Sequence, residues 1–296
     1  MTLHLGLDLG GTFVKWALVE RDGDVAVVAQ GSAETRAAEG PRRVVERLAE
    51  VGAGALGAAR PASVGIGLPG VFDGARGTAV SLPNLPGDWD GVDVAGPVGV
   101  ALAAPATLVN DARAFAFGEL RAGAARGCRT AVFVTVGTGV GGGVAVDGRL
   151  HLGLGTAGEL GHQTVLADGP VCTCGNRGCV ETLACAAAIA AAGGCANVEG
   201  VVANAHAGDR RACDALERAA RYLGVALANA VLLLAPERVV IGGGVVAAGD
   251  LLLEPVRDEL RTRVRVAPIE RVDVVPSALG PRAGAIGAAL WAAEVR

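Results

Sequence analysis

The sequence predicts an α/β fold made of two similar halves. Residues 3–19 alternate apolar and polar side chains around a glycine-rich turn at 10–12, a pattern typical of a β-hairpin. Residues 131–146 repeat this plan around a second glycine-rich turn at 137–139. Because the two copies stand about half a chain apart, they indicate a duplicated domain in which each half offers one turn to a shared cleft. We refer to them below as the first and second glycine turns.

Helices and strands are predicted in alternation around these hairpins. Between them, apolar periodicity and Gly/Pro punctuation predict a helix over 41–60, a strand over 63–68, and a strand over 107–109 that leads into a helix near Asp111. After the second hairpin, a strand is predicted over 238–241 and is followed by three glycines and a helix.

The domain boundary is predicted after residue 112. A smaller N-terminal α/β domain would cover 1–112 and be completed by a C-terminal helix within 283–296. A larger α/β domain would cover 113–282 and contain all seven cysteines. The chain of 296 residues is 51% hydrophobic, which is enough apolar material for such cores.

Charge and composition narrow the class of protein. The 26 basic and 30 acidic residues give a net charge of −4, and no basic stripe is interleaved with aromatics, so we expect no nucleic-acid partner. The N-terminus lacks a signal-peptide pattern, and the longest apolar run, 219–235, contains Arg221 and Asn229. We therefore expect a cytoplasmic protein that does not insert into a membrane. In that compartment, the seven cysteines suggest metal ligands or free thiols.

The first glycine turn and the aspartate before it have the groups that a polyphosphate needs. Glycines allow close approach of the backbone, amides and a hydroxyl donate hydrogen bonds, and the carboxylate can hold hydrated Mg²⁺. A tight turn with a capping aspartate explains this first copy equally well, but the second copy in the matching position favours phosphate binding. The candidate residues are Asp8, Gly10, Gly11, Thr12, Gly137, Thr138 and Gly139.

Two further glycine patterns bear on nucleotide binding. The second turn contains the G-x-G-x-x-G spacing of a dinucleotide-binding fold, but the residues after it read as a strand and not as the required helix, which argues against NAD. A later glycine triplet lies between a strand and a helix, where the backbone could lie flat against a nucleoside. A turn that simply requires glycine is the alternative. The triplet is Gly242, Gly243 and Gly244.

Four potential metal ligands lie close together in the sequence. Glycines and a proline between them allow the chain to turn tightly, and a set of one histidine and three cysteines suits tetrahedral zinc. Incidental thiols are the alternative. Four protein ligands would leave no position for a catalytic water, so the metal is predicted to be structural. These residues, the metal cluster, are His162, Cys172, Cys174 and Cys179.

Five motifs occur together along nearly the whole chain. They are Asp8-Leu9-Gly10-Gly11-Thr12, Asn110-Asp111, Gly137-Thr138-Gly139, Gly158-Glu159-Leu160-Gly161-His162 and the cysteine-rich segment 172–181. Together they resemble the ROK family of bacterial sugar kinases and repressors, and the Glu-x-Gly-His segment followed by the cysteine array is the most specific part. The resemblance implies an actin-like, duplicated ribonuclease H-like fold of two domains, with ATP and a sugar meeting in a central cleft.

The resemblance also implies an activity and roles for residues. The activity is ATP- and Mg²⁺-dependent phosphorylation of a hexose, most often glucose at its 6-hydroxyl, by a zinc-containing homodimer. Asp111 would be the general base, although an aspartate here could also be a helix N-cap. The implied sugar ligands are Asn84, Asn110, Asp111, Glu159, His162 and Glu181.

Other functions within the family stay open. The hexose could be N-acetylglucosamine, mannose or fructose, and polyphosphate could replace ATP. A sugar-responsive regulator without kinase activity is a further alternative. Such regulators carry an N-terminal helix-turn-helix, and the first predicted strand starts at residue 3, so a kinase is the expected activity.

Overall fold

The computed structural model describes residues 2–294, which divide into two units. The first unit combines Met1–Gly123 with Arg282–Arg296, and the second is Ala124–Pro281. The boundary predicted from the sequence, after residue 112, differs from this division. The helix that begins at Asp111 packs against the C-terminal helix of the first unit, so the chain leaves that unit only after this helix has ended.

The first unit is built on a five-stranded sheet. Its elements up to Gly123 are β1 (Thr2–Leu9), β2 (Phe13–Asp22), β3 (Asp24–Glu34), α1 (Pro41–Leu56), β4 (Ser63–Leu68), β5 (Val71–Asp73), β6 (Thr78–Ser81), α2 (Ala95–Leu102), β7 (Ala106–Asn110) and α3 (Asp111–Arg121). The strand order is β3-β2-β1-β4-β7. β1 is antiparallel to β2 and parallel to β4, and β5 pairs with β6 in a separate small sheet.

Local sequence signals explain β1 and the end of α1. Leu5, Leu7 and Leu9 alternate along β1 and are buried, as expected for a strand with a core face. The helix predicted over 41–60 ends earlier, at Leu56. The reason is Gly57, whose positive φ of 57° cannot continue an α-helix.

The second unit repeats the plan of the first. Its elements are β8 (Ala131–Val136), β9 (Val140–Val146), β10 (Arg149–Leu150), α4 (Val180–Ala184), α5 (Ala186–Gly193), α6 (Val198–His206), α7 (Arg210–Leu234), β11 (Arg238–Gly242), α8 (Asp250–Arg263) and β12 (Asp273–Pro276). The strand order is β10-β9-β8-β11-β12. β8 is antiparallel to β9 and parallel to β11. In the same way, β1 of the first unit is antiparallel to β2 and parallel to β4.

The long helix α7 forms the centre of the second core. Leu216, Leu223, Leu227 and Val231 recur at helical spacing and are buried, so this apolar run is a core helix. Within residues 2–294, no single helix combines the length and apolar composition of a membrane span. The bent pair Val180–Gly193 and Val198–His206 meets both criteria only when its two helices are taken together.

The last helix, α9 (Ala283–Glu294), packs on the sheet of the first unit, as predicted. Its backbone approaches the strands directly, because a Cβ on Gly6 of β1 would overlap the carbonyl oxygen of Ala285. A Cβ on Gly65 of β4 would likewise overlap that of Ala288. Glycines in the strands therefore fix how closely α9 lies on the sheet.

Candidate active site and metal centre

The first glycine turn joins β1 to β2 and is closed by its own backbone. The amide of Gly10 donates to the carbonyl oxygen of Phe13 at 3.0 Å. Thr35, which directly follows β3, donates its hydroxyl to the carbonyl oxygen of Gly10 at 2.6 Å and its amide to that of Thr12 at 2.9 Å. Thr35 is fully buried, whereas Gly11 and Thr12 are exposed. The turn is thus anchored to its own sheet and presents its tip to solvent.

Asp8 stands near the end of β1, just before this turn. Its side chain is half-buried and it lies opposite Lys15 of β2 in the strand register. Burial raises the pKa of Asp8, and the positive charge of Lys15 offsets this increase only in part. A desolvated carboxylate beside a glycine turn is a hard oxygen donor that fits Mg²⁺.

The junction of β7 and α3 holds the proposed base. The N-cap of α3 is Asn110, whose Oδ1 accepts the amide of Arg113 at 3.2 Å. The alternative that Asp111 is the N-cap is therefore wrong: it is the first helical residue, and its Oδ1 accepts the amide of Ala112 at 2.8 Å. Asp111 is half-buried at the end of a parallel strand, an edge where α/β folds commonly bind ligands.

Asn84 lies in the loop between β6 and α2, and this loop contacts the first glycine turn. A Cβ on Gly11 would stand 3.0 Å from the carbonyl oxygen of Asn84. Asn84 is exposed. The structure thus places Asn84 beside Gly11 within the first unit.

The second glycine turn joins β8 to β9 and is held by groups from outside its sheet. The amide of Gly137 donates to the carbonyl oxygen of Gly139 at 2.9 Å. The amide of Ala186, the first residue of α5, donates to the carbonyl oxygen of Gly137 at 2.8 Å. Oε2 of Glu181 accepts the amide of Val140 at 2.9 Å, and a Cβ on Gly139 would stand 2.6 Å from that same oxygen. A carboxylate therefore braces this turn, and it fits only because position 139 is glycine.

The structure answers one of the two remaining questions about glycine patterns: it decides on the G-x-G-x-x-G spacing and leaves the ligand of the glycine triplet as a prediction. The residues after the second turn form β9, so the dinucleotide-binding fingerprint lacks its helix, as predicted. At the triplet, Gly243 has a positive φ of 88°, and a Cβ there would overlap the backbone of Val136 at the end of β8. The triplet is followed by the 3₁₀ helix Gly244–Ala248 before α8 begins. Gly243 thus has a structural reason to be glycine, and nucleoside contact stays a prediction.

The metal cluster is assembled within the second unit. All four donor atoms lie within 4.8 Å of one another. The Sγ atoms of Cys174 and Cys179 are 3.7 Å apart, as are Sγ of Cys172 and Nδ1 of His162. A tetrahedron with zinc–sulfur bonds of about 2.3 Å has edges of about 3.8 Å, so these spacings fit zinc. Burial raises the pKa of the Cys179 thiol, which makes a bound cation the natural way to hold it as thiolate.

The metal cluster adjoins the second glycine turn. Val140, which follows that turn, contacts Gly161, because a Cβ at 161 would overlap the carbonyl oxygen of Val140. His162 comes next in the 3₁₀ helix Leu160–His162. Oε1 of Glu181 lies 3.9 Å from Sγ of Cys172. Glu181 therefore contacts Cys172 of the metal cluster with one oxygen and the turn with the other.

Two features of these sites had no clear sequence signal. Thr35 anchors the first turn from 25 positions away in the chain, and Glu181 braces the second from 41 positions away. Glu159, by contrast, is exposed, and its carbonyl oxygen accepts the amide of His162 at 3.2 Å. Its assignment as a sugar ligand stays a prediction.

Comparison with known proteins identifies the family. The sequence model of the ROK family matches residues 4–295. The chain belongs to the ROK family. A glucokinase of Thermotoga maritima is 34% identical to it, across 96% of this chain and 95% of its own length.

Solved structures and a regulator extend the comparison. The crystal structure of a ROK family glucokinase from Streptomyces griseus in complex with glucose and AMPPNP has a TM-score of 0.85 and 30% identity, and covers 99% of both chains. The xylose repressor of Bacillus subtilis is 27% identical across 96% of this chain and 75% of its own length. The structural likeness confirms the actin-like α/β fold that the motifs implied. The relatives include both kinases and repressors.

Proposed function

We propose that this ROK protein is an ATP-dependent sugar kinase that phosphorylates a hexose, with the 6-hydroxyl of glucose as the first candidate acceptor. The likeness to glucokinases supports this choice. The observation that carries it is the β7–α3 junction: because Asn110 supplies the N-cap, the carboxylate of Asp111 is not needed to close the helix. Asp111 can then receive the proton of the attacking hydroxyl.

The chemistry demands positioning more than a strong base. In a loose transition state for phosphoryl transfer, the bond to the attacking hydroxyl is barely formed and its proton is lost late, so a well-placed carboxylate is sufficient. The strand β7 and the capped start of α3 hold the backbone of Asp111 in place. In the first unit, Asn84 and Asn110 are the proposed sugar ligands.

The glycine turns are proposed to bind the phosphates of ATP. The exposed tip of each turn offers backbone amides and a threonine hydroxyl, Thr12 in the first and Thr138 in the second. Asp8 would hold Mg²⁺, which when bound neutralises charge on the phosphate oxygens. Gly242, Gly243 and Gly244 are proposed to face the nucleoside.

Zinc in the metal cluster is proposed to shape the sugar site. Four protein ligands close its coordination sphere, so it is structural. With Nδ1 of His162 directed to Cys172, its Nε2 is the ring nitrogen available to a sugar hydroxyl. Glu159 and Glu181 are the other proposed sugar ligands in the second unit, and two carboxylates suit a hydroxyl-rich ligand.

A coupled ADP-release assay tests the proposal. Glucose, mannose, fructose and N-acetylglucosamine would each be offered with Mg²⁺ and ATP. A parallel assay with polyphosphate as donor would measure the sugar phosphate formed, because polyphosphate releases no ADP. We expect ADP release that depends on a hexose, with the highest kcat/KM for glucose. Sugar binding by calorimetry without turnover on any donor would contradict the kinase and favour a regulator. ADP release that is independent of sugar would contradict it as well.

A further inference from the structure

The side chain of Asp8 lies between two glycines from different elements. A Cβ on Gly284, in the first turn of α9, would stand 2.6 Å from Oδ2 of Asp8 and 2.9 Å from its Cγ. A Cβ on Gly67 of β4 would stand 3.3 Å from Oδ1. The first of these distances is shorter than packed carbon and oxygen atoms adopt, so any side chain at position 284 requires the carboxylate or the helix to move.

The helix is not free to move. On the sheet side, the contacts of Gly6 and Gly65 bring the backbone of α9 against β1 and β4. On the other side, a Cβ on Gly287 would overlap the carbonyl oxygen of Ala114 in α3. Because α9 is confined between the sheet and α3, a side chain at position 284 would displace Asp8 and not the helix.

Two features partly offset the cost of burying this carboxylate. Gly284 belongs to the amide end of α9, where a negative group is stabilised, and Lys15 of β2 adds a positive charge opposite Asp8. Both effects counteract the cost of burying the carboxylate. The packing of α9 therefore limits where the carboxylate of Asp8 can lie.

We propose that Gly284 is a positioning residue: by lacking a side chain, it lets the carboxylate of Asp8 take the place from which it holds magnesium–nucleotide. The C-terminal helix thereby sets the affinity for the nucleotide and not for the sugar. The inference rests on the proposed function for the role of Asp8, whereas the contact itself stands on the geometry alone.

The contact is tested by a thermal double-mutant cycle on the full chain without substrates. Gly284→Ala, Asp8→Ala and the double variant would be compared with the wild type. We expect Gly284→Ala to lower Tm in the wild-type background and to lower it much less in the Asp8→Ala background, because the smaller side chain leaves room for the new methyl group. Equal losses in both backgrounds would overturn the inference.

Two further variants support this cycle. Gly54→Ala is the matched control, since it also lies within a helix, α1, but its new Cβ would have no atom within 4 Å. It should leave Tm unchanged or raise it. Gly67→Ala introduces a milder contact with Asp8. It replaces Gly284→Ala in the double-mutant cycle if that variant does not fold. Its loss of Tm should also shrink in the Asp8→Ala background, and an unchanged loss would overturn the inference.

The functional consequence is tested by separating the two substrates. In Gly284→Ala we expect KM for Mg·ATP to rise by about tenfold or more, because a displaced ligand group weakens metal binding, while KM for the sugar stays within about twofold. Equal changes in both KM values would overturn the role in nucleotide affinity. If the wild type shows no turnover, the proposed function fails, and the thermal cycle still decides whether Gly284 positions Asp8.

Discussion

The two glycine turns have the same local plan but are stabilised by different parts of the molecule. Each joins a central strand to its antiparallel neighbour. The first is anchored by Thr35, a buried neutral residue that follows β3 of the same sheet. The second is braced by Glu181, a carboxylate that also contacts Cys172 of the proposed metal cluster. The two halves thus share the glycine turn but differ in the groups that support it.

This difference has a physical consequence. A hydroxyl bond within one sheet is local, so the first turn should respond only to changes in its own unit. The carboxylate of Glu181 connects the second turn to the metal cluster, so loss of the metal should loosen that turn and leave the first one unchanged. The following predictions test this contrast, beginning with the largest expected effect.

Asp111→Asn tests whether Asp111, a residue of the first unit, accepts the proton of the attacking hydroxyl. We expect kcat to fall by at least about a hundredfold, as for removal of a positioned base. Tm should be unchanged, because Asn110 still caps α3 and an asparagine at 111 keeps an oxygen for the amide of Ala112. Steady-state kinetics and thermal melts measure both quantities.

Asp250→Asn is the matched control for this substitution. Asp250 is likewise the first residue of a helix, α8, but its side chain is 84% exposed. Its kcat should match the wild type. Near-wild-type turnover in Asp111→Asn would remove Asp111 from the mechanism.

Cys174→Ser should affect the second unit alone. A serine is a poor zinc ligand, so we expect loss of zinc and a sugar affinity weaker by about tenfold or more, since His162 and Glu181 lose their support. Metal analysis and calorimetry measure the two effects. Cys213→Ser, a thiol outside the metal cluster, should retain both zinc and affinity. Zinc-free wild type, or unchanged sugar affinity without zinc, would contradict the link.

Two substitutions of Glu181 test whether its side-chain oxygen braces the second glycine turn by accepting a hydrogen bond, or whether only its charge matters. Glu181→Ala removes the acceptor of the Val140 amide, so exchange of this amide with solvent should speed up by about tenfold or more, as for loss of a hydrogen bond to a charged group. Glu181→Gln keeps an oxygen at this place and should exchange nearly as slowly as the wild type. Equal exchange rates in the two variants would show that Glu181 does not brace the turn.

Thr35→Val should have the smallest effect, confined to the first turn. The isosteric valine leaves the carbonyl oxygen of Gly10 without its hydroxyl donor, at a cost of about 1–2 kcal/mol. We expect a Tm lower by a few degrees, roughly 2–4 °C per kcal/mol, and unchanged zinc content. Thr35→Ser keeps the hydroxyl and should lose less. A fall in zinc content would contradict the separation of the two turns.

The sequence predicts the features whose signals are local. Both hairpins follow from alternating side chains and glycine turns, and the ligands of the metal cluster are close enough in the chain to be grouped by spacing. Tertiary packing decides the rest. The domain boundary shifts because α3 packs against α9, and α1 ends at Leu56 because Gly57 takes a positive φ.

Individual residues of the candidate site also depend on tertiary packing that the sequence does not show. Asn110 and Asp111 are adjacent and both can cap a helix, so composition does not tell which one does. The bonds from Thr35 and Glu181 join residues far apart in the chain, and no spacing rule connects them. The space that Gly284 leaves for Asp8 depends on the packing of the last helix against the first strand.

Amide hydrogen exchange of the full chain, with zinc bound and after its removal by a chelator, tests the contrast most directly. We predict that exchange over residues 137–140 speeds up by about tenfold or more on zinc removal, because the bond from the Val140 amide to Glu181 weakens, while exchange over residues 10–13 stays the same. Equal acceleration in both turns, or none at 137–140 after complete removal of zinc, would contradict this account.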